Sequence, residues 1–232
     1  MQALLFPVIV SGGLRVLAED PLWREGCVDE PQQPAALSSC KMTTDLETPR
    51  LLLRPLVLED APQAQLLFPH WEIVRYLSHV VPWPYPPDGA YTFYRDIALP
   101  AIARGEEWHW TLRLKTDPDR LIGSIALIKG ETINRGFWLG LPWQRQGLMT
   151  EACDAVTDFW FNRLKFPVLR APKAVANAGS RRISEKSGMR MVARTESDYV
   201  SGGLATEIWE ITAEEWNAHK NPEDSRLNPP QS

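Results

Sequence analysis

Cysteine is scarce in this 232-residue chain, with only Cys27, Cys40 and Cys153. Thiols this far apart form neither a disulfide framework nor a metal-ligand spacing, and the plain reading is a reducing, cytoplasmic setting. The four histidines, His70, His79, His109 and His219, are equally scattered, so no metal site and no nucleophile–His–acid triad is expected. Long apolar runs are missing as well, and nothing approaches the ~20 residues that span a bilayer. Met1–Val10 is apolar, but it has no positive n-region and no clear small-residue cleavage site before Arg15, so an export signal is not expected. Neither Gly-x-Gly-x-x-Gly nor Gly-Lys-Ser/Thr occurs, which sets aside the common nucleotide-binding loops. A net charge of −4 argues against a general nucleic-acid binder. No internal repeat is present.

What remains is a chain that is 44% hydrophobic, long enough for one well-filled domain and short for two. Its charge is unevenly spread. Residues 144–194 hold ten Lys/Arg against four Asp/Glu, a net of +6, which leaves −10 on the remainder. A polyanion would be drawn to the first block and a cationic amine to the rest; uneven sampling of a solvated surface is the plainer alternative.

Residues 1–44 carry scattered prolines, Gly12-Gly13 and Ser38-Ser39 without periodicity, and read as a weakly ordered extension. Met42 stands just ahead of the first convincing strand and is an alternative start for a domain over 45–220; residues 221–232 read as a flexible tail. Arg50–Leu56 is the first strand. Asp60 is placed to cap a helix with Pro62 in its first turn. Trp71–Leu77 suggests a short helix, Val81–Pro87 a rigid aromatic loop, and Asp88–Ala103 a longer helix. Trp108, Trp110, Leu112 and Leu114 alternate as a strand should. Asp117-Pro118-Asp119 reads as a turn, followed by a strand over 121–128 and a fourth strand over Asn134–Leu141. A long helix follows Gly147, with Leu148, Ala152, Ala155, Val156, Phe159 and Trp160 on its core face. Pro167–Val175 is the fifth strand and Ala178–Ser187 a helix capped by Gly188. Met189–Arg194 and Leu204–Thr212 form a closing hairpin through Ser201-Gly202-Gly203, and Ala213–Lys220 is a last helix.

Two segments stand out. Gln144-Arg145-Gln146-Gly147-Leu148-Met149-Thr150-Glu151 joins the fourth strand to the long helix, where unpaired N–H groups and the helix dipole favour an anion. Some 25 residues on, the chain reads Asn177-Ala178-Gly179-Ser180, then Lys186-Ser187-Gly188. Together they resemble the GNAT family of acetyl-CoA-dependent N-acetyltransferases, and within it the branch of ribosomal-protein N-terminal acetyltransferases. The family's pyrophosphate loop, Gln/Arg-x-x-Gly-x-Gly/Ala, falls on Gln144, Gly147 and Met149, Met149 departing from the small residue. The pattern Asn-x-x-Ser, Lys-x-Gly falls on Asn177, Ser180, Lys186 and Gly188. Thr48–Pro55 looks like that branch's first strand, so the resemblance runs from about Thr48 to Ile211.

The resemblance implies an α/β (α+β) single domain: a mixed, mostly antiparallel central sheet, splayed between strands 4 and 5 and flanked by helices. It implies acetyl-CoA as co-substrate, no metal, and an amine acceptor that is a protein N-terminus or a small molecule. Backbone groups of Phe137, Trp138 and Leu139 would bind the pantetheine arm, one N–H polarising the thioester carbonyl. Gln144, Arg145, Gln146, Gly147, Leu148, Met149 and Thr150 would cradle the pyrophosphate, with the Met149 side chain turned away. Asn177 would hold the pantetheine arm, and Ser180, near the sulfur, is the candidate general acid. Glu131 is the best-placed carboxylate for a general base, with Glu196, Asp198 or a water relay as rivals, and Tyr199 is a further candidate acid. Each has a duller reading: Asn177 a helix cap, Ser180 a first-turn residue, Glu131 a solvated loop residue, Tyr199 a packing tyrosine. The alternative function is a non-catalytic acyl-CoA-binding or regulatory domain. No membrane or nucleic-acid partner is expected, and the Trp-rich N-terminal half leaves room for a homodimer contact.

Overall fold

The computed structural model describes residues 43–221, so most of the extension and nearly all of the tail read from the sequence lie outside the described residues. A two-stranded start, β1 (Leu46–Glu47) and β2 (Leu51–Pro55), leads into α1 (Ala61–Leu67) and α2 (Trp71–Val74). Next come α3 (Gly89–Phe93) and α4 (Leu99–Ala103), joined by a wide π-helical turn over Tyr94–Ala98. Pro100 brings no N–H to the ladder just after that turn. Then follow β3 (Glu107–Leu114), β4 (Asp117–Ile128), β5 (Arg135–Leu139), α5 (Leu148–Asp158), β6 (Val168–Ala174) and α6 (Ala178–Lys186). The chain closes with β7 (Arg190–Tyr199), β8 (Gly202–Thr212) and α7 (Ala213–Lys220). The short β1 shifts the count, so the fourth and fifth strands of the sequence are β5 and β6.

Five strands, β1 to β5 in chain order, make one antiparallel sheet; β6, β8 and β7 make another. The two meet where β5 and β6 come together. Asn134 N–H donates to the Arg170 carbonyl at 2.8 Å, and Arg170 N–H to Asn134 Oδ1 at 2.8 Å. Three residues further along each strand, Lys173 Nζ lies 4.7 Å from the Phe137 ring centroid. The contacts advance together, so β5 and β6 run in the same direction, yet among the described residues no ladder joins them. The result is the mixed, splayed sheet that the resemblance implied.

The central strand β3 shows why the sheet is covered on both faces. Trp108, Trp110 and Leu112 point to the main core, built with Ala152, Val156, Phe159 and Trp160 of α5 and the turn that continues it. The intervening Thr111 and Arg113 are equally buried on the opposite face. There Asp60 takes Arg113 Nη2 at 2.5 Å and Thr111 Oγ1 at 2.9 Å. Asp60 does stand at the start of α1, but its side chain does not cap that helix. A buried charge needs a full complement of partners, and the guanidinium supplies more than a helix end would.

Two turns also differ from the sequence reading. Asp117 pairs with Leu114, so the chain reverses at Lys115-Thr116, and Pro118 sits in the irregular stretch before Leu121 meets Arg113. A proline donates nothing to a ladder and settles where the ladder is already broken. The closing hairpin is longer than expected, with its tip at Val200-Ser201.

Candidate active site

The open end of the splay is set by backbone geometry. Gly140 N–H donates to the Ile122 carbonyl, and Ile128 N–H to the Asn134 carbonyl. In an antiparallel ladder such pairs alternate. With the register Ser124↔Trp138 and Ala126↔Gly136, the peptide groups of Gly136, Trp138 and Gly140 are therefore committed to β4. Those of Phe137 and Leu139 face the gap. The Trp138 side chain packs edge-on against Phe68 with ring centroids 5.3 Å apart.

Beyond Leu139 the chain makes a tight 3₁₀ turn over Leu141–Trp143 and enters the loop. Arg145 and Gly147 both take left-handed backbone conformations, at φ 63° and φ 78°. Gly147 is the N-cap of α5, and no side chain caps the helix. The first bond of the helix runs from Glu151 N–H to the Gly147 carbonyl, so the N–H groups of Leu148, Met149 and Thr150 stand ahead of its ladder. Leu148 and Met149 are buried in the core, and the departure at Met149 leaves the mouth of the loop clear.

Side chains staple the loop to its neighbours. Gln144 Nε2 donates to the Leu139 carbonyl and Gln146 Nε2 to the Pro142 carbonyl, each at 2.9 Å. Arg50 Nη1 donates to the Gln146 carbonyl at 3.0 Å, while its Nε donates to Glu151 at 2.7 Å and its backbone N–H at 2.8 Å. Thr48 Oγ1 donates to the same carboxylate. Burial pushes Glu151 up, but these bonds outweigh it and hold the carboxyl below its ordinary value. Glu151 is thus a brace between β2 and α5. Arg50 Nη2 lies 3.5 Å from where a Cβ on Gly147 would be, so the guanidinium borders the loop at Gly147 while paired with Glu151. Nothing local in the sequence marks Arg50 for this contact beyond its place within the Thr48–Pro55 resemblance.

The other candidate residues lie on three separate elements. Asn177 Oδ1 accepts the Ser180 N–H at 3.1 Å, so Asn177 caps α6 and its amide nitrogen is left for other work. Ser180 is buried in the first turn of that helix. Glu131 lies in the β4–β5 loop, where its carbonyl accepts Arg170 Nη1 at 2.8 Å, at the closed end of the splay. It borders a cavity of about 400 Å³ with Trp160, Phe166 and Arg170. The Tyr199 hydroxyl is 2.8 Å from Thr206 Oγ1, which itself donates to the Leu204 carbonyl. The Tyr199 proton therefore points at Thr206, and burial raises its pKa.

The hairpin tip is tied to the chain after α2. Val200 N–H donates to Leu77 O at 3.0 Å and His79 N–H to Asp198 O at 3.2 Å, with an isolated bridge between Ser78 and Tyr199. The aromatic loop is shared between two tasks. Tyr85 packs inward on Phe68, whereas Trp83 and Trp71 face outward, each about 40% exposed, with ring centroids 5.7 Å apart. Among the described residues no group of His, Cys, Asp and Glu could hold a metal ion. Nor does any described helix reach the length and apolarity needed to cross a membrane.

The acetyltransferase (GNAT) domain family matches residues 50–190, well over half of the chain. The chain belongs to the GNAT acetyltransferase family. Among curated proteins it is 36% identical over 92 residues to the Probable N-acetyltransferase YjcK of Bacillus subtilis. That match covers 38% of this chain and about half the length of the relative, 50%. Among solved structures, Mycobacterium smegmatis RimJ in complex with CoA-disulfide superposes with a TM-score of 0.63 at 17% identity, over 76% of this chain and 90% of that one. The ribosomal-protein-S5-alanine acetyltransferase of Vibrio fischeri gives 0.62 at 12% identity, over 74% and 98%. At these identities the structures speak for the GNAT fold, which the splayed β5 and β6 display here.

Proposed function

We propose that this GNAT protein transfers the acetyl group of acetyl-CoA to a primary amine, by direct attack in a ternary complex. One observation carries the reading: a loop of unpaired N–H groups, backed by Arg50, opens at the end of a gap into which the Phe137 and Leu139 peptides point. The donor set fits the ligand. Leu148, Met149 and Thr150 would hold the pyrophosphate, Phe137 and Leu139 the pantetheine arm, and Asn177 its amides. Acetyl-CoA would supply the activated thioester. A Phe137 N–H aimed at the thioester oxygen would stabilise charge as it develops, and Ser180 would pass a proton to the departing sulfur while the attacking amine sheds one to solvent. Cys153 is fully buried and burial raises its thiol, which supports direct attack over an acyl-cysteine route.

The acceptor would enter beside the hairpin strand that carries Glu196 and Asp198, which the His79 N–H ties to the chain after α2. A protein N-terminus, as a cation, would suit carboxylates there. The experiment is acetyl-CoA turnover followed as free thiol, with a panel of peptides and small amines. Ser180→Ala should lower kcat roughly 100-fold and leave acetyl-CoA affinity within about twofold. Equal activity in the variant would remove Ser180 from the mechanism. Binding without turnover on any amine would favour the regulatory reading.

A further inference from the structure

Lys173 belongs to the line Leu169, Ala171, Lys173 on β6, whose first two members sit in the main core. It is 6% exposed, and its side chain crosses from β6 to β5, ending over the Phe137 ring. No carboxylate forms an ion pair with it among the described residues. Glu207, its neighbour across the β6–β8 ladder, is held by Arg181 at 2.7 Å, Arg194 at 3.2 Å and the Trp209 indole N–H at 3.2 Å. From β5, Arg135 faces it, itself bonded to two neutral groups, Thr157 Oγ1 at 2.9 Å and Met189 Sδ at 3.3 Å. From α5 comes the buried Cys153 thiol, and Asp154 beside it is turned to Ser187. Burial first, and then the Arg135 charge, push Lys173 down to about 7. Asp154 lies within electrostatic reach of Arg135, whereas Lys173 has a second cation, a thiol and an aromatic face around it and no carboxylate paired to it, which leaves room for one negative charge.

We propose that Lys173, laid from β6 across the floor of the gap onto Phe137, is the counter-charge for the thiolate released by acetyl transfer. The inference rests on the acetyl-CoA reading of the gap. As the amine nitrogen bonds to the acetyl carbon, the carbon–sulfur bond breaks and its electron pair leaves on sulfur. The Lys173 ammonium then faces the anion it otherwise lacks, and the pair persists until the sulfur is protonated.

The test is the titration of bound CoA, followed by thiolate ultraviolet absorbance as the difference between CoA-loaded and desulfo-CoA-loaded protein, which cancels Cys153. The bound thiol should titrate about 1–3 units lower in the parent protein than in Lys173→Met. Lys173→Arg, which keeps the charge, should stay nearer the parent. Identical titrations in the parent and Lys173→Met overturn the proposal and leave the acetyl-CoA reading standing. Failure of the parent to bind CoA at all overturns both.

Discussion

Gly147→Trp should lose acetyl-CoA binding by at least ~100-fold, equivalent to about 2.7 kcal/mol, while the protein stays folded. Two effects combine. At φ 78° a side chain costs about 1–2 kcal/mol of backbone strain, a modest fraction of the ~5–15 kcal/mol that holds a domain together. The larger effect is local: an indole would fill the mouth of the loop and meet the Arg50 guanidinium, 3.5 Å from the Cβ position. Calorimetric titration with acetyl-CoA, alongside circular dichroism, checks both parts. Unchanged affinity would sink the assignment of 144–150 as the phosphate loop.

The largest stability loss should come from Trp110→Ala, about 3–5 kcal/mol by urea denaturation. Trp110 is fully buried at the centre of β3 and meets Phe159 edge-on with ring centroids 5.2 Å apart. Its indole N–H donates to the Thr44 carbonyl at 2.7 Å, fastening the start of the described chain to the core. Truncation leaves a cavity and an unpaired carbonyl together. Trp83→Ala, at a ring 41% exposed, is the control and should shift stability by no more than about 0.5 kcal/mol. A comparable loss at both positions would contradict the core described for β3.

The parts of the molecule legible in the sequence are those whose cause is local. The strand–glycine–helix order around Gly147 needs only its own residues, and the helical spacing of Leu148, Ala152 and Val156 places the core face of α5. Asp60 shows where that ends. Its position before α1 suggested a cap, but the partner that claims it, Arg113, lies 53 residues away. The Asp117–Asp119 turn failed for a related reason, since the pairing of Leu114 with Asp117 had already fixed the reversal one step earlier. Sequence alone does not separate Trp138 from Phe137 and Leu139, because which peptides face the gap depends on a register that no single strand encodes. Lys173 was invisible. A lysine within a strand reads as a solvated face, and only the parting of β5 from β6 makes it the floor of a gap.

The central claim, that this gap and loop bind acetyl-CoA, is tested most directly by thermal stability with and without acetyl-CoA, using ADP as control. Ligand at ~100 times its dissociation constant should add about 2.7 kcal/mol. For a domain of this size that is an upward shift of roughly 5–10 °C. A shift with acetyl-CoA that ADP does not reproduce is the predicted result. No shift at saturating acetyl-CoA, or an equal one with ADP, would contradict it.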